Sequence, residues 1–130
     1  MPGVAFLNFA LRSFEPKVVF GWHCSIMVEC DLLADQGMPT RAEQGVLQGF
    51  QDRLAPHIAG ANPKKPNALY LGRITWNGTR ELLYRVWQPE PVHEFLQGLI
   101  ETENHPRHFD YRLDPDPEWK LAAWHLNLGK

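Results

Sequence analysis

This 130-residue sequence is short of cysteine, of long apolar runs and of excess basic charge, and each shortage excludes a class of protein. Its two cysteines, Cys24 and Cys30, would lie roughly 20 Å apart on one continuous strand, which is beyond disulfide reach. We therefore expect two reduced thiols, as is typical of a cytoplasmic protein. No apolar run approaches the roughly 20 residues of a membrane helix, so we expect no membrane span. Residues 1–14 have no basic leader before an apolar stretch, and we expect no secretory signal.

The charge balance argues against a nucleic-acid partner. The chain has 13 basic and 15 acidic residues, which gives a formal net charge of −2. A protein that binds the phosphate backbone without sequence preference needs a basic excess. Hydrophobic residues make up 44% of the chain, which is enough to build a core. Because no internal repeat is present, residues 1–130 are expected to form a single domain.

The clearest local signal is a β-hairpin in the middle of the chain. Ala68–Trp76 and residues 79–87 both have the composition of strands, and Asn77-Gly78 between them tolerates the positive φ angles of a type I′ turn. A two-residue loop fixes the cross-strand register. The predicted pairs are Trp76 with Thr79, Ile74 with Glu81, Gly72 with Leu83, and Tyr70 with Arg85.

That register predicts two different faces of the hairpin, because side chains alternate along a strand. The first face is mostly aliphatic, which suits helix packing. It carries Leu69, Leu71, Leu82, Tyr84 and Val86. The second face mixes aromatic and charged side chains, which suits a partly exposed surface. It carries Tyr70, Ile74, Trp76, Glu81, Leu83, Arg85 and Trp87.

Two amphipathic helices are predicted to flank the hairpin. Thr40 and Glu43 have the spacing of a capping box, which indicates the start of the first helix. We expect Pro56 to end or kink this helix. The second helix is predicted to run from Pro89 to near Asn104. Its apolar stripe consists of Val92, Phe95, Leu96, Leu99 and Ile100.

Three further segments have strand patterns: residues 4–12, 18–30 and 109–113. The order β-β-α-β-β-α-β predicts an α+β fold, namely a ferredoxin-like (split βαβ) antiparallel sheet with two helices on one face and an extra N-terminal strand. The other face is open unless a partner or the tail, residues 118–130, covers it. The tail fits a helix and a strand equally well.

Three motifs resemble a known family. They are residues 69–75 (LYLGRIT) with the hairpin turn, residues 39–43 (PTRAE) and residues 116–119 (DPEW). Over about residues 18–128 the chain resembles domain-of-unknown-function family 695, which implies a bacterial, cytosolic α+β domain without an assigned activity. That family is distantly similar to the regulator of ribonuclease activity B family, whose members bind and inhibit an endonuclease. Those regulators are very acidic and this chain is not, so an inhibitor role is expected only by analogy.

The sequence shows no convincing catalytic set and implies no cofactor. A proline separates His105 from His108, and His23 and Cys24 point to opposite faces of a strand, so we expect no metal site. Cys24 is expected on the core face, where burial makes a thiol a poor nucleophile. We expect a solvated strand edge and turn from the acidic residues Asp110, Asp114, Asp116 and Glu118. The alternative is a small metal-dependent hydrolase that uses His23, His105 and His108 with Glu29.

We therefore predict a non-enzymatic binding protein that engages another protein through the aromatic face. Trp, Tyr and Arg are the residue types that dominate protein interfaces. The predicted partner-binding residues are Tyr70, Trp76, Glu81, Arg85 and Trp87. The partner is expected to be a nuclease or toxin, or a second copy of the chain in a homodimer. Two alternatives remain open: the tail covers this face with Trp119 and Trp124, or the aromatic residues stack on nucleic-acid bases.

Overall fold

The computed structural model describes residues 3–13, 17–34, 37–60, 62 and 64–126. Within these ranges the strands and α-helices occur in the order β1 (Gly3–Leu7), β2 (Trp22–Glu29), α1 (Arg41–Ala59), β3 (Ala68–Trp76), β4 (Thr79–Val86), α2 (Pro89–Glu101), β5 (Phe109–Pro115) and α3 (Lys120–Leu126). Two 3₁₀ helices, Phe9–Ser13 and Lys17–Phe20, lie between β1 and β2. None of the helices in these ranges is both long enough and apolar enough to cross a bilayer.

The strands form one antiparallel sheet in the order β1-β3-β4-β2-β5. The described chain is therefore an α+β protein with a five-stranded antiparallel sheet and three helices. Two predicted strands are shorter than expected: the first ends at Leu7, and the second runs from Trp22 to Glu29. The 3₁₀ helices that replace the remaining residues bury Leu11 and Phe20 against the sheet.

The hairpin turn forms as predicted, but the register changes along it. Asn77 and Gly78 both have positive φ, 48° and 78°, as a type I′ turn requires. The three predicted pairs nearest the turn are confirmed. A β-bulge then follows between Tyr70 and Gly72, so that Tyr70 pairs with Tyr84. The predicted pairing of Tyr70 with Arg85 is therefore wrong.

The bulge also exchanges the faces on which the first residues of β3 lie. An extra residue in one strand shifts the alternation of side chains by one position. Leu69 and Leu71 consequently join the core on the side away from α1 and α2, whereas the ring of Tyr70 contacts that of Tyr84 on the helix side. The predicted face assignments of these three residues are wrong, and those of Ile74, Leu82 and the residues nearest the turn stand.

Helices α1 and α2 pack on the face of the sheet that carries Cys24 and Leu82, as the patterns predicted. The hydroxyl of Thr40 accepts a hydrogen bond of 3.2 Å from the amide of Glu43, which confirms the start of α1. The helix continues through Pro56 to Ala59, so the expectation that it would end at this proline is wrong. The helix-side core consists of Cys24, Ile26, Val28, Leu47, Phe50, Leu54, Ile58, Ala68, Leu82, Tyr84, Val86, Val92, Leu96, Leu99 and Phe109.

The described part of the tail decides the alternative that the sequence left open, because Lys120–Leu126 form the helix α3 and, with Trp119, cover the middle of the opposite face. Trp119 is buried against the sheet, and its indole Nε1 donates a hydrogen bond of 3.1 Å to the backbone oxygen of Phe20. Trp124 points away and is 64% exposed. The second core, which this cover completes, consists of Leu11, Phe20, Leu71, Leu83, Trp119, Ala122 and Leu126. The sheet is thus buried on both sides at its centre.

Candidate functional site

The structure separates the five residues that the sequence assigned to one partner-binding face. Trp76 and Trp87 are each 48% exposed, but they lie at opposite ends of the hairpin, Trp76 beside the turn and Trp87 after β4. Tyr70 lies on the helix side of the sheet. Arg85 is fully buried, and Glu81 lines a separate cleft. These residues therefore do not share one open surface.

Arg85 is held beneath the tail by a network of polar contacts. Its Nη1 lies 3.0 Å from Oδ2 of Asp116 and donates to Nδ1 of His23 at 3.2 Å. Its Nε donates to the backbone oxygen of Phe20 at 3.3 Å. The guanidinium also lies over the ring of Trp119, 4.7 Å from the ring centroid. Arg85 thus links the sheet to the tail rather than to solvent.

Asp116 anchors the start of the tail helix. Its carboxylate accepts hydrogen bonds from the backbone amides of Lys120 at 3.0 Å and Leu121 at 2.9 Å, in addition to the ion pair with Arg85. Burial opposes ionisation of Asp116, but these amides and the guanidinium together hold its pKa below the ordinary value. The prediction of a solvated acidic turn is therefore wrong for Asp116, because this carboxylate is buried and paired.

Trp87 forms the wall of an apolar groove of about 470 Å³. This Trp87 groove is lined by Val19, Phe20, Lys64, Lys65, Pro66, Leu69 and Trp87. Both lysines are exposed, so the groove combines an apolar surface with positive charge at one side. A second recess of about 350 Å³ lies against the same indole and is lined by Val19, Gly21, Trp22, Trp87, Pro115 and Pro117.

Asn67 fixes the backbone that carries Trp87. Its backbone oxygen accepts from the amide of Trp87 at 2.8 Å. The side chain of Asn67 makes two hydrogen bonds with Gln88, the residue after Trp87. Its Oδ1 accepts from the backbone amide of Gln88 at 2.9 Å, and its Nδ2 donates to the backbone oxygen of Gln88 at 3.0 Å. The indole is therefore presented by a backbone segment that is hydrogen-bonded on both sides of it.

A polar cleft of about 420 Å³ lies between β2, β5 and α3, on the face opposite to α1 and α2. This histidine cleft is lined by His23, Ser25, Met27, Glu81, Asp110, Tyr111, Arg112, Asp114, Leu121 and His125. The register of the sheet brings these residues together, since His23 pairs with Asp114 and Met27 pairs with both Asp110 and Glu81. Side chains on three neighbouring strands therefore form its floor, and α3 forms its wall.

Two buried imidazoles stack at the inner end of the histidine cleft. The rings of His23 and His125 have centroids 5.8 Å apart and planes inclined by 5°. Because a guanidinium has donors and no acceptor, Nδ1 of His23 must accept from Arg85, which requires the neutral imidazole. Burial, and then the charge of Arg85, lower the pKa of His23 to about 4. Burial also lowers the pKa of His125.

The stability of the protein should depend on pH because His23 is buried in its neutral form. The folded protein does not protonate His23 until about pH 4, whereas the unfolded chain does so near pH 6.5. Between these values the unfolded state binds more protons, so stability is present above pH 6.5 and is lost as the pH falls. We expect the free energy of unfolding to drop by about 2 kcal/mol from pH 7 to pH 5, measured by urea denaturation. His125 acts in the same direction.

The matched variant for this pH effect is His23→Gln, whose amide oxygen can still accept from Arg85. We expect its unfolding free energy to change much less between pH 7 and pH 5 than that of the original protein. The acidic groups Asp116 and Glu43 do not interfere, because their pKa values are lowered from 3.8 and 4.5 and their effects lie at lower pH. An unaltered pH dependence in His23→Gln would assign the effect to other groups.

The residues of the hydrolase alternative do not converge. His23 lies in the histidine cleft, whereas the ring of His105 packs on that of Phe109, which belongs to the helix-side core. The backbone amide of Glu29 donates to the backbone oxygen of His108 at 2.9 Å, at the end of β2 away from His23. Among the described residues no group of three His, Cys, Asp or Glu side chains is placed to hold a metal ion.

Both cysteines are free in the structure, as the sequence predicted. Cys24 is fully buried in the helix-side core, and this burial raises the pKa of its thiol to about 12. Burial also raises the pKa of Cys30. A thiol with such a pKa is not the thiolate that nucleophilic catalysis requires.

Sequence reasoning missed the histidine cleft because its residues come from four separate elements. His23 was placed correctly on the face of β2 opposite to Cys24, and Asp110 and Asp114 were expected at a solvated strand edge and turn. The sequence left the structure of the tail undecided, so α3 was not predicted as a wall of the cleft and His125 received no role.

One comparison with known proteins bears on identity. A family model described as Family of unknown function (DUF695) matches residues 1–123 of the chain. The chain belongs to this family. In this DUF695 protein the match covers the whole sheet and every residue of the Trp87 groove, and His125 of the histidine cleft lies just beyond it. No curated protein and no solved structure shows a significant match to the chain.

Proposed function

We propose that this protein is a non-enzymatic binding protein that holds an extended segment of another protein in the Trp87 groove. The observation that carries the proposal is the half-exposed indole of Trp87 between two recesses, with Lys64 and Lys65 beside it. The segment it suits has apolar side chains next to Asp or Glu. Contact with another protein, as predicted from the sequence, would then take place at one end of the hairpin and not over the whole aromatic face.

The lining of the groove supports a peptide ligand of this composition. Apart from the two lysines, its side chains are aliphatic, aromatic or proline, so an apolar side chain of the partner would lose contact with water there. The exposed ammonium groups of Lys64 and Lys65 attract carboxylates and repel cations. An acidic and apolar segment satisfies both parts of the groove.

The way in which Trp87 is held supports its role as an anchor. Tryptophan is the residue type that most often dominates binding energy at protein interfaces. Asn67 bonds the backbone of Trp87 and of Gln88, so little conformational freedom of the main chain remains to be lost when a partner binds. Trp76 is exposed to the same extent as Trp87, but it lines neither of the two recesses beside Trp87.

We also propose that the partner is a nuclease or a toxin, that the core is ferredoxin-like, and that the protein acts in the bacterial cytoplasm. The resemblance to the regulator of ribonuclease activity B family makes a nuclease the first partner to test, and a toxin the second. The strand order β3-β4-β2-β5, with α1 and α2 as the connections, supports a ferredoxin-like core to which β1 adds an edge strand. Two free cysteines support a reducing compartment such as the bacterial cytoplasm.

The test is a selection of random peptides on the purified protein, followed by affinity measurement with a labelled synthetic peptide. We expect the selected peptides to share an aromatic or aliphatic residue flanked by Asp or Glu. Trp87→Ala should weaken binding about 30-fold, which corresponds to about 2 kcal/mol. Replacing Lys64 and Lys65 by Gln should weaken binding less and should reduce its dependence on salt.

The matched control is Trp76→Ala, which removes an equally exposed tryptophan from the other end of the hairpin. It should leave peptide affinity within about twofold of the original, because Trp76 is remote from the groove. Thermal unfolding of both variants checks that they fold. A loss of binding in Trp76→Ala but not in Trp87→Ala would refute the proposal. A dimer that Trp87→Ala disrupts would assign the groove to a second copy of the chain and would also refute it.

A further inference from the structure

The histidine cleft is separate from the Trp87 groove and has a different chemistry, because hydrogen-bond acceptors with negative charge line it. Three carboxylates face it, those of Glu81, Asp110 and Asp114. The only guanidinium among its lining residues is that of Arg112. The two imidazoles add no positive charge at neutral pH, since His23 accepts from Arg85 and burial disfavours the charged form of both. The cleft therefore carries a net charge of about −2 at neutral pH.

An independent observation indicates that a polar atom of this cleft lacks a partner. His125 is only 9% exposed, and its Nδ1 is buried without a hydrogen-bond partner in the described part of the chain. Buried polar atoms in folded proteins are nearly always paired, so an orphaned nitrogen in the wall of a cleft calls for a ligand. In the tautomer that carries its proton on Nε2, Nδ1 of His125 is an acceptor, and a ligand that donates a hydrogen bond pairs it.

Glu81 and Asp114 are held in position to receive a donor of this kind. The hydroxyl of Ser25 donates to Oε2 of Glu81, which orients this carboxylate across β2 and leaves Oε1 for another partner. Asp114 already binds one guanidinium at the rim: Nη2 of Arg112 lies 3.4 Å from its Oδ1. Arg112 itself is 77% exposed, so this pair can exchange with a ligand in solvent.

We propose that the histidine cleft binds a guanidinium group, with the carboxylates of Glu81 and Asp114 as its ion-pair partners and Nδ1 of His125 as a further acceptor. A guanidinium offers five donors in one plane and no acceptor, which matches a cleft lined by the acceptors of Glu81, Asp114 and His125. A metal ion is not the ligand proposed, since no three candidate ligands converge among the described residues. The group can belong to a small molecule or to an arginine side chain of a protein.

The test is calorimetric titration of the purified protein with argininamide, and with citrullinamide as the matched ligand. Citrullinamide has the same shape, but a neutral urea replaces the guanidinium. We expect argininamide to bind and citrullinamide to bind at least about 10-fold more weakly. Equal binding of the two compounds, or no heat from argininamide up to about 10 mM, would overturn the proposal.

Two variants of the cleft are expected to act in opposite directions. Glu81→Gln keeps the shape of the side chain and removes its charge, so it should weaken argininamide binding about 10-fold. Arg112→Gln removes the competing guanidinium from Asp114 and should strengthen binding several-fold. If Glu81→Gln proves unfolded by circular dichroism, Asp114→Asn provides the same test. The control is Glu94→Gln on the exposed side of α2, which should leave affinity unchanged.

The source of the guanidinium follows from a second titration, with a capped tetrapeptide that contains one internal arginine. Tighter binding of the tetrapeptide than of argininamide would assign the cleft to an arginine side chain of a partner protein. Tighter binding of argininamide would assign it to a small molecule. Either result supports the proposal, whereas affinities that do not change in Glu81→Gln and in Arg112→Gln would contradict it.

Discussion

Asp116→Ala is expected to lower the free energy of unfolding by about 4 kcal/mol, because it leaves the guanidinium of Arg85 buried without its counter-ion. The substitution also removes the acceptor for the amides of Lys120 and Leu121 at the start of α3, which contributes about 1 kcal/mol of this loss. Urea denaturation at pH 7 measures the effect. We further expect the tail to detach first, which would appear as faster hydrogen exchange in α3.

A double-mutant cycle separates the two parts of this loss. Asp116→Asn keeps an oxygen for the amides and removes the charge, so it should be less damaging than Asp116→Ala. In an Arg85→Met background, Asp116→Ala should cost only about 1 kcal/mol, since no buried guanidinium is left unpaired. If Asp116→Ala were equally damaging with and without Arg85, the ion pair would not be what fastens the tail to the sheet.

Gly72→Ala is expected to lower the free energy of unfolding by about 3–4 kcal/mol, because β1 lies too close to β3 at this residue to leave room for a side chain. A Cβ atom at Gly72 would overlap the backbone oxygen of Phe6 and would lie 2.8 Å from Cα of Leu7. The φ of Gly72, 155°, is also one that residues with a side chain rarely adopt. Backbone atoms have no rotamer to change, so β1 must move away from β3.

The matched control for this variant is Gly45→Ala in α1. No atom lies within 4 Å of the Cβ position at Gly45, and alanine has a higher helix propensity than glycine. We expect Gly45→Ala to raise the free energy of unfolding by about 0.5–1 kcal/mol. Hydrogen exchange should increase first and most strongly across β1 in Gly72→Ala. Unchanged protection of β1 would mean that the strands tolerate the extra atom.

Signals that lie within a few residues of one another predicted the fold well. Asn77-Gly78 gave the turn, Thr40 and Glu43 gave the start of α1, and a regular apolar stripe gave α2. Each of these depends on local backbone chemistry, which a single sequence displays. The bulge between Tyr70 and Gly72 was missed, although a glycine inside a strand is a local signal for one. The close approach of Phe6 to Gly72 comes from a strand far away in the chain and has no local signal. One shifted residue then moved Leu69, Tyr70 and Leu71 to the wrong faces.

The candidate sites were harder to predict, because they depend on which charged residues find partners. On sequence alone Arg85 belongs to a mixed aromatic and charged face, and this pattern is the same whether the face is open or covered. Its partner Asp116 lies 31 residues further along, in a turn that looked solvated. Trp87 was predicted on a partly exposed face and is 48% exposed, but its groove requires residues from three other segments.

The contacts that close the second core also limit when the chain can complete its fold during synthesis. The bond from Trp119 to Phe20 joins residues 99 positions apart, and Arg85 precedes its counter-ion by 31 residues. At ordinary ribosomal rates, roughly two to six seconds pass between translation of Arg85 and of Asp116. During this interval the tail does not yet cover Leu71 and Leu83, and the nascent sheet exposes apolar surface to which other proteins can adhere. Formation of α3 therefore protects the newly made chain from aggregation.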